Sequence, residues 1–202
     1  MSTVCKLCVL SSQHDVVGVI DRSFSRRQVE VRRETTEWPA ATEPDVAWNG
    51  YDDPTILSVK QGDAAVTEIY FNSFSRLVDL ATELSSDLQT GLVVNQHQST
   101  AMASYWAYYR NGEQLRTIEA GDGEILGQTG IPFEFEEDPV GHDVAQDGEE
   151  PCIIFDEEDM DSYNASVGIP VEVYQQPQPH WENFLLPQAN QAKKPRWKFW
   201  RS

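Results

Sequence analysis

The chain has 202 residues, of which 40% are hydrophobic and 10% aromatic, and its net charge is −18. This composition excludes an intrinsically disordered chain, and the length suits one domain with a core plus an appendage. No stretch approaches the roughly 18 apolar residues that span a bilayer, and three cysteines are too few for a disulfide scaffold. We therefore expect a cytoplasmic location.

The charge is distributed unevenly along the chain. Residues 34–192 hold thirty acids and four bases, net −26, whereas the last ten residues hold five bases and no acid. An acidic body repels phosphate groups and attracts cationic protein surfaces over a Debye length of about 8–10 Å. The composition thus predicts a basic protein partner and no direct nucleic-acid binding by the main body.

The first half of the chain is predicted to contain mostly strands. Apolar and alternating patterns place strands at 3–10, 28–34, 55–60 and 65–72, with a helical or irregular segment at 15–24. A Gly-Asp pair at 62–63 suits a turn between the last two strands, and 35–54 is predicted as a long loop. The best helix has Leu77, Leu80, Ala81, Leu84 and Leu88 at helical spacing, with Asn72 or Ser73 as its N-cap and Gly91 as its C-terminal cap.

A β-hairpin is the strongest local signal. After a buried strand at 91–96, strands at 104–110 and 113–120 flank Asn111 and Gly112. Asn-Gly is the dipeptide that most readily adopts the two positive φ angles of a type I′ turn. The hairpin is therefore predicted at this position.

These elements predict an α+β fold, a mainly antiparallel sheet with one long amphipathic helix packed on one face. Residues 1–132 form the core domain in this interpretation. Residues 133–174 form an acidic loop and a short docking segment, with a helix at 159–167. Residues 175–202 form a Pro- and Gln-rich extended tail that ends in a basic aromatic segment.

The motifs that could carry chemistry are weak. Cys5 and Cys8 have CxxC spacing, but zinc needs a second pair of ligands, and a redox pair belongs at a helix N-terminus rather than in a strand. The acidic run 155–161 lacks the glycine and the closing Glu of a calcium loop. We predict no catalytic residue, metal or cofactor.

Candidate partner-binding residues follow from charge and aromatic content. Like charges recur on the solvent side of the long helix without a helical Lys to offset them, and a second acidic run lies in the loop. The predicted acidic contacts are Asp79, Glu83, Asp87, Glu136, Glu137 and Asp138. A merely solvated helix face remains the alternative.

The aromatic hairpin and the tail supply further candidates. Tyr105 and Tyr109 are potential interface anchors, with packing under the C-terminal segment as the alternative. In the tail, Trp197, Phe199 and Trp200 alternate with cations, and this segment could contact its own acidic body, a membrane surface or an acidic or nucleic-acid partner. Because it is too short for stable membrane attachment alone, self-docking or disorder is favoured.

Two segments carry a resemblance. Residues 105–113 (Tyr-Trp-Ala-Tyr-Tyr-Arg-Asn-Gly-Glu) with Leu115 and Arg116, and then 130–134 (Gly-Ile-Pro-Phe-Glu), are similar in layout to small bacterial proteins of the immunity type. Those proteins accompany polymorphic or secreted toxins. The resemblance implies a protein without enzymatic activity that inhibits a toxin by binding it through acidic surfaces.

Two hypotheses follow for the function. The first is a non-enzymatic binding protein that inhibits or regulates a basic protein, most specifically an immunity protein that neutralises a toxin. The alternative is a ligand-binding or enzymatic domain whose pocket is assembled from sequence-distant residues such as His97, Tyr109 and Arg116.

Overall fold

The computed structural model describes residues 3–42, 56–61, 66–71, 77–98, 102–138, 140–145, 150–169 and 180–186. The helices in these ranges are α1 (Gln13–Arg26), α2 (Leu77–Asp87) and α3 (Glu157–Ser166), with a short 3₁₀ helix at Ala40–Thr42. The strands are β1 (Thr3–Leu10), β2 (Arg32–Thr36), β3 (Ile56–Gln61), β4 (Val66–Phe71), β5 (Gly91–Gln98), β6 (Ala103–Arg110), β7 (Glu113–Gly121), β8 (Glu124–Gly130), β9 (His142–Asp143), β10 (Ile153–Ile154) and β11 (Trp181–Leu185).

Nine of these strands form one sheet in the order β2-β11-β3-β4-β1-β5-β6-β7-β8, and every pairing is antiparallel. The N-terminal strand β1 lies at the centre, between β4 and β5. Strands β9 and β10 form a separate two-stranded sheet. The predicted α+β class with a mainly antiparallel sheet is confirmed.

Helices α1 and α2 pack on one face of the sheet. Ser12 caps α1, because its hydroxyl accepts a hydrogen bond from the Asp15 N–H at 3.2 Å. Apolar side chains of both helices cover the inward residues of the central strands, and buried members of this layer include Val16, Ile20, Leu84, Leu7 and Val94. Two helices rather than one cover this face, so the prediction of one long amphipathic helix is not confirmed.

Helix α3 covers the opposite face over β5 and β6. Its Met160 and Tyr163 are buried against Trp106, and the Trp106 indole donates a hydrogen bond to Asn164 Oδ1 at 2.9 Å. A capping box starts the helix, since Asp156 accepts from the Asp159 N–H and Asp159 accepts from the Asp156 N–H. The sheet thus has a helical layer on each side.

Two hairpins build the β6-β7-β8 end of the sheet. Asn111 and Gly112 have φ of +53° and +86°, as the Asn-Gly dipeptide predicts. Asp122 and Gly123 repeat this geometry with φ of +53° and +82° between β7 and β8. Strand β8 is absent from the sequence prediction, although its Asp-Gly turn carries the same kind of signal.

The predicted cap at Gly91 is wrong. Helix α2 ends at Asp87, and the residue with positive φ after it is Gln89 at +51°. Gly91 instead begins β5, where a Cβ atom would lie 3.0 Å from the Tyr108 hydroxyl oxygen. The glycine therefore allows a close approach of the Tyr108 side chain.

Strand β11 lies in the part of the sequence assigned to the extended tail, and that assignment is wrong for Trp181–Leu185. Asn183 is fully buried and satisfies polar groups on both sides of the strand. Its Oδ1 accepts from the Ser58 hydroxyl at 2.6 Å and from the Ala40 N–H at 3.2 Å, and its Nδ2 donates to Thr36 Oγ1 at 2.7 Å. This buried network stabilises β11 between β2 and β3.

Several predictions lie outside the described residues. They are the helix caps Asn72 and Ser73, the turn at 62–63, most of the loop at 35–54, and the tail residues Trp197, Phe199 and Trp200. Among the helices that are described, none combines the length and apolar character needed to cross a membrane.

Candidate functional site

A buried ion pair attaches the segment 131–138 to the sheet. Arg116 on β7 and Glu136 have side chains that are each 2% exposed, and Arg116 Nη2 lies 2.6 Å from Glu136 Oε2. Arg116 Nε also donates to Glu136 Oε1 at 2.9 Å, and its Nη1 donates to the Thr129 carbonyl at 3.1 Å. Glu136 Oε1 in turn accepts from the Phe133 N–H at 3.0 Å. This network fixes the segment above β7 and β8.

Aromatic contacts join the same segment to α3. Phe133 and Phe135 stack with their ring centroids 5.2 Å apart, and Phe135 meets Tyr163 of α3 edge-on at 5.2 Å. Phe133 also meets Tyr108 of β6 at 5.8 Å. Phe135 remains 37% exposed and Ile131 85% exposed. Segment 131–138 and α3 therefore form one continuous surface with an apolar centre.

Exposed carboxylates lie on both parts of this surface, the segment 131–138 and α3. We call the surface the acidic face and define it by Ile131, Phe135 and six exposed acids, namely Glu134, Glu137, Asp138, Glu157, Glu158 and Asp161. None of the six lies within 4.0 Å of a Lys, Arg or His nitrogen among the described residues. The sequence also contains no Lys or Arg between Arg116 and Lys193. The charge of the acidic face is therefore not offset from within its own layer.

Two ionisable side chains of α3 have raised pKa values. Burial, together with the Glu136 carboxylate, raises the pKa of Tyr163 to about 12, and Asp159 and Glu137 act in the same direction. Partial burial raises the pKa of Asp161, and Glu157 adds to that effect although Lys6 opposes it. Burial is the largest cause of both shifts, and the neighbouring carboxylates add to it.

The acids of α2 are in a different electrostatic situation from those of the acidic face. Glu83 Oε1 lies 2.5 Å from Arg27 Nη2 of α1, and Asp87 Oδ2 lies 3.7 Å from Arg26 and 3.8 Å from Arg22. Arginines of the neighbouring helix thus supply the positive charge that α2 lacks. The side chain of Asp79 lies outside the described part. Glu83 and Asp87 are therefore not part of the acidic face.

The pairing of Glu83 predicts a pH dependence. Burial alone would raise its pKa, but the Ser23 hydroxyl and the guanidinium groups of Arg27 and Arg26 outweigh it and lower the pKa below its ordinary value of 4.5. A lowered folded-state pKa contributes stability above the unfolded-state pKa, and this contribution is lost as pH falls through the folded-state value. We expect Glu83→Gln to cost up to about 1 kcal/mol at pH 7 and nothing once the pH is well below that lowered pKa, measured by urea unfolding across pH. An equal cost at both pH values would contradict this.

Of the two hairpin tyrosines, Tyr109 lies in the core and Tyr105 packs at its edge. Tyr109 is 1% exposed, and its hydroxyl donates to Gln114 Oε1 at 2.7 Å. Tyr105 is half-buried and packs against the same apolar cluster under the helices. On the opposite face of the strand, Trp106 and Tyr108 pack under α3 and Phe133. Both faces of β6 are thus covered, and the exposed aromatic ring of the acidic face is Phe135.

Glu136 differs from the other two predicted loop acids. Its carboxylate is buried by Arg116, whereas Glu137 and Asp138 are exposed members of the acidic face. The sequence contains a signal that one acid of this run is buried. Arg116 is the one cation on a strand face that otherwise carries apolar residues, and a buried cation needs an acidic partner.

The two cysteines of the CxxC spacing point to opposite faces of β1. Cys5 packs under the helical layer and Cys8 under α3, since residues three apart on a strand alternate sides. Burial raises the pKa of the Cys5 thiol to about 12 and raises that of Cys8 as well. This environment suits unreactive packing residues.

One group of residues has ligand types suited to a metal ion. His142, Asp156 and Asp159 bring their ligand atoms within 4.8 Å of one another. The group already has structural roles, because Asp156 and Asp159 cap α3 and His142 Nδ1 lies 3.1 Å from Asp159 Oδ2. The positive end of the α3 dipole also lies here and opposes a cation. The contacts favour a helix cap that ties β9 to α3.

The sequence-distant residues suggested for a pocket do not converge. Tyr109 faces the α1 and α2 layer, whereas Arg116 faces the α3 layer. His97 also faces the α3 layer, where its Nδ1 lies 3.0 Å from the Ser104 hydroxyl. On β6, His97 is paired with Ser104, and Arg116 is paired with Tyr108. Ser104 and Tyr108 are four residues apart, so His97 and Arg116 are separated by about 13 Å along the strand. These three residues therefore form no common site.

A different polar cluster lies on the α3 side of the central strands. Lys6 and Glu68 are 7% and 1% exposed, and Lys6 Nζ lies 4.0 Å from Glu68 Oε1. Lys6 lies over the Tyr70 ring at 5.6 Å, and the buried Lys60 lies over the Trp181 ring at 5.7 Å. The cluster brings together ionisable side chains from β1, β3 and β4. The opposite charges of neighbouring side chains offset the cost of burying them.

Comparisons of this chain with protein-family models, curated proteins and solved structures find no match.

Proposed function

We propose that this chain is a non-enzymatic binding protein that holds a basic protein partner on its acidic face. The immunity-type resemblance suggests that the partner is a toxin, inhibited by binding in the cytoplasm. The observation that supports the proposal is the set of six exposed carboxylates on segment 131–138 and α3, two elements in contact through Phe135 and Tyr163, without an ion-pairing cation among the described residues.

The distribution of arginines favours this face over the helical face. The described arginines at the C-terminal end of α1 form ion pairs with the acids of α2. Arg116 is already ion-paired with Glu136 beneath the surface. Uncompensated like charges on one surface repel one another and are relieved when a cationic surface covers them. The net −26 of residues 34–192 would speed association with a basic partner, because long-range attraction raises the rate of encounter.

The apolar centre supplies the short-range part of the interaction. Phe135 and Ile131 are large exposed side chains next to the carboxylates. Interfaces commonly place an apolar or aromatic anchor at the centre and charges at the rim. Phe135 is held by two ring contacts, so little conformational entropy is lost when a partner covers it. The anchor would slow dissociation.

The test is affinity capture from native-cell lysate, with mass spectrometry of the retained proteins. The bait variant is Glu134→Lys, Glu137→Lys and Glu158→Lys together. We expect wild type to retain a basic protein that this variant binds at least about tenfold more weakly, with the difference shrinking at high salt. The matched control reverses the same number of exposed acids on β7 and β8, at Glu113, Glu119 and Glu124. Equal retention of the basic protein by both triple variants would argue against the acidic face as its binding surface.

The buried Lys6 and Glu68 cluster favours a second candidate, binding of a small polar ligand on the α3 side of the sheet. Convergent buried ionisable groups are typical of ligand sites. If this is correct, heat-denatured wild-type protein releases a small molecule in stoichiometric amount, and Lys6→Met releases about a tenth or less. No released molecule from wild type would exclude a tightly bound ligand.

A further inference from the structure

The C-terminal segment 193–202 and the acidic face have complementary chemistry. The segment carries Lys193, Lys194, Arg196, Lys198 and Arg201 without an acid, and it includes Trp197, Phe199 and Trp200. We propose that this basic aromatic segment binds in cis across the acidic face, so that an external partner competes with it. The cis contact stands without a partner, while the competition rests on the proposed function.

The position at which the described chain ends makes this contact reachable. Strand β11 is three strand spacings from β1, about 14 Å at about 4.8 Å per strand. Cys8 of β1 is buried in the same cluster as Met160 of α3, so α3 lies close to this strand. Lys193 follows Leu186 by seven residues, which span at most about 23 Å when extended. The first cations can therefore reach Asp161 and Glu157.

The aromatic residues of the segment can reach the other end of the face. Phe133 contacts Tyr108 on β6, which is five strand spacings from β11, about 24 Å across the sheet. Across the sheet, the β11 residue level with Tyr108 is Trp181, and Leu186 lies five residues further along the strand direction. The distance from Leu186 to Tyr108 is therefore about 30 Å. Trp197 follows Leu186 by eleven residues, or about 36 Å of extended chain. An extended chain is therefore long enough to bring Trp197 to Phe135.

Charge distinguishes the acidic face from other surfaces near the end of β11. The groove beside Leu185 and Leu186 is lined by Glu30, Val31 and Arg32, so acid and base cancel there. The neighbouring groove at Asp21 contains Arg33, which is ion-paired with both Asp21 and Glu182. A segment of net +5 gains little from either groove. The six acids of the acidic face provide the opposite charge.

Paramagnetic relaxation provides the test in cis. A spin label is placed on Ser202→Cys in a Cys152→Ser background, because Cys5 and Cys8 are buried and unreactive. We expect selective broadening of amide signals from 131–138 and α3 at low salt, and its loss at about 500 mM salt. Broadening spread over the whole protein, or confined to β2 and β11, would overturn the proposal.

A peptide titration tests the same contact in trans. A labelled peptide of residues 193–202 is titrated into protein truncated after residue 192, and anisotropy reports binding. The Glu134→Lys, Glu137→Lys, Glu158→Lys variant should bind it at least about tenfold more weakly than the Glu113→Lys, Glu119→Lys, Glu124→Lys control. Equal weakening in both would mean that total charge rather than the acidic face decides, and no binding to the parent would also overturn the proposal.

The tail contact and the proposed function can fail separately. Both tests of the tail contact use only this protein and its own C-terminal segment, whereas the proposed function is tested with a captured partner. If both hold, deletion of 193–202 increases partner affinity, because the competitor is removed. If the tail does not bind, the deletion leaves partner affinity unchanged and the acidic-face variants still lose the partner.

Discussion

Glu136→Gln is expected to lower the free energy of unfolding by about 3–5 kcal/mol, because it leaves the Arg116 guanidinium buried without its counter-charge. Both side chains are 2% exposed, so solvent cannot take the place of the missing carboxylate. The same change should free segment 131–138 from β7. Urea unfolding followed by circular dichroism measures the effect.

The neighbouring acid provides a matched control for this ion pair. Glu137→Gln removes one negative charge at an exposed position and should change stability by less than about 0.5 kcal/mol. The double variant Arg116→Met, Glu136→Leu removes both charges and should be more stable than Glu136→Gln alone. A Glu136→Gln protein as stable as Glu137→Gln would show that the pair contributes nothing net.

Gly130→Ala is expected to destabilise the protein by roughly 3–5 kcal/mol, combining a left-handed backbone with a steric clash. Gly130 has φ of +84°, and a Cβ atom there would lie 1.9 Å from the Leu115 carbonyl oxygen. Backbone atoms cannot rotate away as a side chain can. Strand β8 would therefore have to separate from β7 where the acidic face begins, as thermal and urea unfolding would detect.

Comparison with Gly168 separates the cost of the left-handed backbone from the cost of the steric clash. It has φ of +80°, and a Cβ atom there would meet nothing within 4 Å. Gly168→Ala should therefore cost only the backbone preference, about 1–2 kcal/mol. Equal losses for the two alanine variants would show that the clash at Gly130 is relieved without cost.

The parts of the fold that the sequence predicts are the local ones. The Asn111 and Gly112 turn is encoded by two adjacent residues, and the apolar positions of α2 repeat at helical spacing. Patterns of this kind depend on a few neighbouring residues and do not require knowledge of the fold.

Strand β11 shows why the remainder is hard to predict. It is five residues long and lies in a segment rich in proline and glutamine, so local composition favours an extended tail. Its place in the sheet depends on Asn183 bonding to Thr36, Ala40 and Ser58, which are more than 120 residues away. Such long-range satisfaction of a buried amide has no local signature.

The candidate site shows the same division. Charge counting correctly finds an acidic surface run that includes Glu137 and Asp138, which are exposed. It cannot tell which acids meet arginines from another element, and so it groups Glu83 and Asp87 with them. Pairing between α1 and α2 depends on helix packing, which a linear charge pattern does not specify. Three-dimensional placement therefore moves the candidate surface from α2 to the opposite side of the sheet.

Hydrogen–deuterium exchange of the protein with its captured basic partner locates the binding surface. We expect added protection in 131–138 and 157–166 and no change in α1 or α2, since the arginines there already neutralise their acids. Protection concentrated on α1 and α2, with 131–138 exchanging as in the free protein, would contradict it.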